Sequence, residues 1–312
     1  MRKPRPQPGP SDTRPPMSDA RARSTHGTVE RSAERSGDPS VERIGERAVR
    51  RIVGYGRPRA IVAFSGGVDS ATVLALAARA LGTAEVSAVT AVSPSYPAGE
   101  LEAAREVARS IGVEHRVVDT DEVGRETYAR NDTMRCFHCK TELYATLERV
   151  AETHGSPDHV VLSGANADDL GDFRPGLLAA EGFGVRSPLL EEGITKGETR
   201  AMARRLGLSV AEKPALACLS SRVAFGFRIT SDLLARIDRA EQLIRALGFE
   251  QVRVRHLGSA ASVEVAAEDV DRLEAHPRWI EVSTRLRQLG WAEVAIDADG
   301  YLAGRMNATL EH

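Results

Sequence analysis

The sequence predicts an α/β protein, a parallel sheet covered by helices and followed by a smaller C-terminal α+β domain. Three observations carry this expectation. Helical and strand-like apolar patterns alternate from about residue 41, as they do when parallel strands are joined by crossover helices. A glycine-bearing stretch, Ser65-Gly66-Gly67-Val68-Asp69-Ser70, follows the apolar run at 60–64 and opens into an amphipathic segment, which is the order strand, loop, helix. After about residue 230 two strand patterns follow each other in hairpin-like succession, so a second sheet begins there.

In chain order, residues 1–40 are rich in Arg, Pro, Ser and Gly and lack apolar periodicity. Such a segment cannot bury enough surface to offset the entropy of ordering, and a disordered tail is expected. Its Arg and Ser content resembles a transit peptide, but Asp12, Asp19, Glu30 and Glu34 count against that. Helical spacing then predicts a helix over 41–53, an apolar run a strand over 60–64, and the same alternation gives helix 70–81, strand 86–92, helix 99–111 and strand 115–119. A helix over 140–154 and a short buried strand over 159–163 follow, the latter running into the polar turn Gly164-Ala165-Asn166-Ala167-Asp168-Asp169. Ligands of open α/β sheets bind beyond the carboxyl ends of strands, so this turn and the loop at Ser65 are expected at one edge. Thr195-Lys196-Gly197-Glu198 has capping-box spacing and starts a helix to Leu206. Beyond it come helix 231–247, strands 251–257 and 261–266, helices 268–276 and 278–289, and strand 292–296. The expected domains are 41–229, the parallel-sheet unit, and 230–312, the smaller α+β unit.

Composition narrows the function. A formal net charge of −2 argues against a surface built wholly for nucleic acid. No apolar run is long enough to span a bilayer and no signal peptide is evident, so a cytoplasmic location is expected. Three cysteines, an odd number without an export signal, point to metal or redox chemistry rather than a disulfide framework.

The chemistry starts at the loop. Gly66 and Gly67 permit a tight turn, and the amides of the following helix start converge on one spot with the positive end of the helix dipole behind them. Ser65 and Ser70 add hydroxyl donors for phosphate, while Asp69 suits a divalent cation, Mg²⁺, on the same oxygens. No Gly-Lys-Ser/Thr follows, so this is not the commoner phosphate loop. It resembles the pyrophosphate loop of enzymes that cleave ATP between the α and β phosphates. Gly164 and Asp168 belong to the turn expected to share the nucleotide.

Cys136-Phe137-His138-Cys139 lets a turn present two thiols on one side, and Cys218 is the third. Zinc normally takes four protein ligands, and His138 is poorly placed to be the fourth. A cubane iron–sulfur cluster on three thiolates instead leaves one iron open to an external sulfide. Free core cysteines are the plain alternative. Arg135, Lys140, Lys213 and Arg222 stand near the thiols in sequence and are expected to favour thiolates.

These stretches, together with Asp172-Phe173-Arg174-Pro175-Gly176, Ala217-Cys218-Leu219-Ser220-Ser221-Arg222 and the ending Gly300-Tyr301-Leu302-Ala303-Gly304-Arg305-Met306-Asn307, resemble the LarE family of ATP-dependent sulfurtransferases within the PP-loop ATP pyrophosphatases. The resemblance covers most of the chain after the tail. It implies a pyridinium dicarboxylate mononucleotide as substrate, its carboxylates converted to thiocarboxylates for a nickel-pincer cofactor of lactate racemase. Some members are thought to give up the sulfur of the cysteine matching Cys218. Others, with partners matching Cys136 and Cys139, are thought to hold a [4Fe-4S] cluster, and all three positions are filled here. The resemblance further implies substrate residues at Glu241, Arg253, Arg255 and Glu264, and a homo-oligomer. Arg253 and Arg255 alternate with Val252 and Val254, so both guanidinium groups share one strand face and suit a phosphate.

The implied chemistry is attack of a substrate carboxylate on the α phosphorus, giving an acyl adenylate that sulfur then displaces, with Lys140 and Arg222 stabilising charge and Cys218 as one sulfur nucleophile. The sulfur donor is not identified by the sequence. Three other readings compete: a tRNA thiolase, which needs a broad basic surface; an amide-forming synthetase such as an NAD synthetase, which needs no three cysteines; and a non-catalytic nucleotide-binding redox sensor, in which Asp69 has no task.

Overall fold

The computed structural model describes residues 39–153, 158–171, 175–214 and 217–302. The expected tail at 1–40, except Pro39 and Ser40, and the segments 172–174 and 303–312 lie outside them. Gly37–His312 forms one compact unit. Helix α1 (Pro39–Gly54) leads into β1 (Arg59–Ala63), α2 (Val68–Leu81), β2 (Val86–Val92), α3 (Glu100–Ile111) and β3 (Glu114–Asp119). Then follow α4 (Glu126–Ala129), α5 (Arg135–Thr153), β4 (His159–Leu162), α6 (Pro175–Gly182), α7 (Pro188–Glu191) and α8 (Lys196–Arg205).

The first sheet has the order β3-β2-β1-β4, with every pairing parallel. Central β1 is apolar on both faces because both are covered. Ala60 and Val62 pack into one core with Val73, Leu74 and Leu76 of α2 and Met202 of α8. Ile61 packs on the other face with Tyr144 and Leu147 of α5 and Ala179 of α6. With β1 and β4 adjacent, the loop after one and the turn after the other meet at the carboxyl edge, as the sequence suggests.

The second half holds α9 (Ser231–Arg245), β5 (Val252–Leu257), β6 (Ala260–Val265), α10 (Val270–Glu274), α11 (Trp279–Gln288) and β7 (Glu293–Ile296). Its sheet is mixed: β5 and β6 form an antiparallel hairpin, and β7 joins β6 in parallel. The hairpin turns at Gly258, whose φ of +78° favours glycine. Val252, Val254, Val263 and Val265 face a core completed by Ile237, Phe249 and Trp291. That core also takes in Val123, Tyr128, Leu219, Val223 and Ile229 from the preceding half. Among the described residues no helix is long and apolar enough to cross a membrane.

Candidate functional site

The phosphate loop is built as the residues imply. Phe64 donates its amide to the Val89 carbonyl (2.9 Å), and the chain then leaves the sheet. Gly66 has φ +75°, and a Cβ there would sit 2.8 Å from Ala104 Cβ of α3, so both conformation and space require glycine. Gly67 caps α2 in an extended conformation without a side-chain capping bond, which leaves the amides of the first turn available to an anion. Ser70 Oγ accepts from the Ser65 amide (3.2 Å), lies 3.1 Å from Ser65 Oγ and donates to the Gly67 carbonyl (3.1 Å). The Ser70 hydroxyl thus shapes the loop from within.

The turn after β4 is pressed against this loop: a Cβ on Gly164 would lie 2.7 Å from the Ser70 nitrogen. Asp69 Oδ1 accepts from Asn166 Nδ2 (3.3 Å), and Oδ2 takes an ion pair from Lys196 Nζ. The Lys196 amide donates to Asp168 Oδ2 (3.0 Å). Thr195 and Glu198 form the expected capping box, but Lys196 does more than begin a helix. It places a cation beside the carboxylate expected to hold Mg²⁺. Sequence reasoning missed Lys196 and Asn166 because a lysine in a helix start and an asparagine in a turn carry no pattern of their own.

Cys136 and Cys139 are corrected in their local structure. They lie in the first turn of α5, which starts at Arg135 rather than 140, and not in a turn before it. Asp132 Oδ1 accepts the Met134 amide (2.9 Å) and the Asp132 carbonyl accepts the Arg135 amide (3.1 Å), so the helix is nucleated earlier than its apolar pattern indicates. The i,i+3 spacing still puts both sulfurs on one face. Together with Cys218 they line one cavity of about 450 Å³, with Ser65, Tyr96, Glu122 and Lys140 on its walls. Burial pushes the Cys139 thiol up to about 12 against the downward pull of Lys140, aided by Cys218, Glu122 and Cys136. The expectation that neighbouring cations favour a thiolate therefore fails at Cys139, where loss of water outweighs one ammonium. Burial pulls Lys140 down, yet Tyr144 and the three thiols hold it above its ordinary value on balance. Among the described residues no three His, Cys, Asp or Glu side chains are grouped so as to hold a metal ion.

A second cavity of about 360 Å³ shares Pro97 and Ala217 with the first and is lined by Lys213, Arg222, Arg245, Arg253 and Tyr301. The expected substrate residues divide here. The Arg253 guanidinium lies 4.4 Å above the Tyr301 ring and has no hydrogen bond or ion pair to a described residue; burial and then repulsion from Arg222 lower its pKa. Arg255, by contrast, is 5% exposed and pairs in a fork with Glu264 (3.0 and 3.0 Å). Arg222 forms a second buried fork with Glu241 (2.8 and 3.2 Å), which is fully buried. The alternation with Val252 and Val254 thus places both arginines on one face as expected, but the face is itself covered, and only Arg253 keeps an open guanidinium.

A family model described as asparagine synthase matches residues 42–172. An uncharacterized protein of Synechocystis is 42% identical over 252 residues, 81% of this chain and 93% of its own length. The pyridinium-3,5-bisthiocarboxylic acid mononucleotide synthase of Lactiplantibacillus plantarum is 36% identical over 253 residues, covering 81% of this chain and 90% of that protein. A tRNA-specific 2-thiouridylase of Azorhizobium caulinodans is similar over only half of this chain, at 32% identity. With the likeness to the synthase extending over four-fifths of its length, the chain belongs to the LarE family of PP-loop ATP pyrophosphatases.

Proposed function

We propose that this chain uses ATP to replace carboxylate oxygen by sulfur on a pyridinium dicarboxylate mononucleotide, on the path to a nickel-pincer cofactor. The observation that carries the reading is the placement of three thiols around the cavity whose wall includes Ser65 of the phosphate loop. A bound acyl adenylate in that cavity has its carbonyl beside sulfur. The amides at the start of α2 and Ser65 hold the phosphates. Asp69 would hold Mg²⁺, which would neutralise charge on the phosphates, and Lys196, paired with that carboxylate, adds a second cation beside them. Arg253, the open cation of the adjoining cavity, takes the phosphate of the mononucleotide.

In the reaction a substrate carboxylate oxygen attacks the α phosphorus, the new P–O bond forms and pyrophosphate leaves. A sulfur nucleophile next attacks the activated carbonyl carbon, the C–S bond forms, and the C–O bond to AMP breaks. Lys140, held cationic beside the thiols, stabilises the developing oxyanion. Three cysteines lining one cavity are the donors that would hold a [4Fe-4S] cluster once deprotonated. Held by Cys136, Cys139 and Cys218, such a cluster would supply an open iron for an external sulfide. Arg135 and Lys140 offset its negative charge.

The test is incubation with ATP, Mg²⁺ and the dicarboxylate mononucleotide, followed by mass spectrometry of protein and small molecule after one turnover. Thiocarboxylate, AMP and pyrophosphate are expected. Iron, sulfide and broad visible absorption are expected after anaerobic reconstitution and are lost in Cys136→Ala. Full activity without iron, with sulfur missing from Cys218, assigns the sulfur to that side chain instead. Absence of both AMP and pyrophosphate sinks the enzymatic reading.

A further inference from the structure

The turn that carries Cys218 is held by its backbone, and arginines do the holding. Arg222 Nη1 donates to the carbonyls of Ala217 (2.7 Å) and Cys218 (3.0 Å). Arg135 Nη1 donates to the Ser220 carbonyl (2.9 Å), and Arg255 Nη1 donates to the Ser221 carbonyl (2.8 Å). Three guanidinium groups therefore occupy the carbonyls of residues 217, 218, 220 and 221. Each is fixed in turn by a buried acceptor: Arg222 by Glu241, Arg255 by Glu264, and Arg135 by Asn131 Oδ1 (2.6 Å). Glu241 is tied further, accepting from Arg245 Nη2 (2.8 Å) and from the Val254 amide on the free edge of β5 (3.2 Å).

We infer that Arg222 and Glu241, with Arg255 and Glu264, are positioning residues that aim the Cys218 thiol through the peptide carbonyls of its turn and do not contact substrate. Glu241 is fully buried with both oxygens engaged, so no face is left for a ligand. Glu264 is 1% exposed and engaged on both oxygens by Arg255. Arg222 has every nitrogen committed, Nε and Nη2 to Glu241 and Nη1 to the turn. The planar fork of arginine is needed for this, because one group must meet a carboxylate on one edge and two carbonyls on the other. A lysine cannot. The second sheet thus serves as the rigid frame from which the sulfur-bearing turn is held, and the inference rests on the reading that Cys218 lies at the reacting centre.

The test compares wild type with Glu241→Gln and Arg222→Lys. In iron-free protein, alkylation of Cys218 by iodoacetamide is read by mass spectrometry against Cys136 of the same molecule, a measure that needs no sulfur transfer. The Cys218 to Cys136 ratio is expected to shift about tenfold in both variants, since they release the turn by the ångström that matters for a reacting group. In single turnovers pyrophosphate release is expected to persist, while thiocarboxylate formation falls by about 100-fold. Arg222→Lys keeps a charge opposite Glu241, so it keeps the proposal testable if Glu241→Gln does not fold. An alkylation ratio within twofold of wild type in the folded variants overturns the inference. So does a loss expressed only in KM for the mononucleotide, which is the mark of substrate contact. A wild type that forms no thiocarboxylate, with the ratio still shifted in the variants, defeats the proposed reaction and leaves the positioning intact.

Discussion

A single methyl group at Gly164 is the smallest change that tests the nucleotide edge. Its Cβ would meet the Ser70 nitrogen at 2.7 Å and the Asp69 carbonyl carbon at 3.0 Å, both backbone atoms of the loop's helix start. Neither can swing aside as a side chain end does, so the loop must move. Gly164→Ala is expected to cost about 1–3 kcal/mol of stability and to weaken ATP binding at least about tenfold, one tenfold step being about 1.4 kcal/mol. Calorimetric titration with ATP and Mg²⁺ checks it, and unchanged affinity would show that the turn is not part of the site. Cys139 gives a second residue-scale test. With its thiol pushed up to about 12 by burial, it stays protonated at neutral pH in iron-free protein. Its alkylation rate is expected to keep climbing beyond pH 10, where an ordinary thiol has already levelled off. Because a metal ligand must shed that proton, assembly of the proposed cluster would release protons and be favoured as pH rises.

Two strands, β2 and β3, meet the end of β1 through one small network, and it makes the sheet sensitive to acid. Thr90 Oγ1 of β2 donates to the Phe64 carbonyl (2.7 Å) and so must accept from His115 Nε2 of β3 (2.8 Å). His115 Nδ1 is buried with no hydrogen-bond partner, which only a neutral ring tolerates. Burial, with Arg105 nearby, lowers the His115 pKa. The folded chain therefore binds its proton less readily than the unfolded chain does. Stability is retained above the ordinary histidine value of 6.5 and falls as pH drops below it. Urea midpoints at pH 7.5 and pH 5.5 should differ in that sense, and the difference should shrink in His115→Gln. The strands themselves were legible because apolar runs bounded by glycine and polar turns leave little choice, and all seven fall within a residue or so of expectation. The start of α5 was not, since Arg135-Cys136-Phe137-His138-Cys139 has no amphipathic stripe and is nucleated by Asp132. Within the candidate site, residue types announced the loop and the thiols. They did not announce which arginines were spent on carboxylates, because Arg222 and Glu241 are 19 positions apart and only the fold brings them into contact.

At the scale of the whole chain the question is whether two sheets unfold as one body. The second core is not self-contained: Leu219, Val223 and Ile229 enter it from the segment that carries Cys218, Val123 from the loop after β3, and Tyr128 from α4. The buried fork Arg222–Glu241 crosses the same junction, as does the bond from Arg255 Nη1 to the Ser221 carbonyl, and separating it would leave buried charges without partners. Both tryptophans of the chain, Trp279 and Trp291, belong to the second half. Trp291 is 1% exposed, with its indole nitrogen on His256 Nδ1 (3.0 Å), so its fluorescence reports that half alone. Far-ultraviolet circular dichroism reports the helices of both. A single cooperative unit requires the two signals to change at the same urea concentration, and ATP with Mg²⁺, which bind only at the first sheet, to move both midpoints upward together. A tryptophan transition that precedes the dichroism change and ignores ATP would mean that the second sheet melts alone. The frame proposed for Cys218 could then be lost while the phosphate loop still stands.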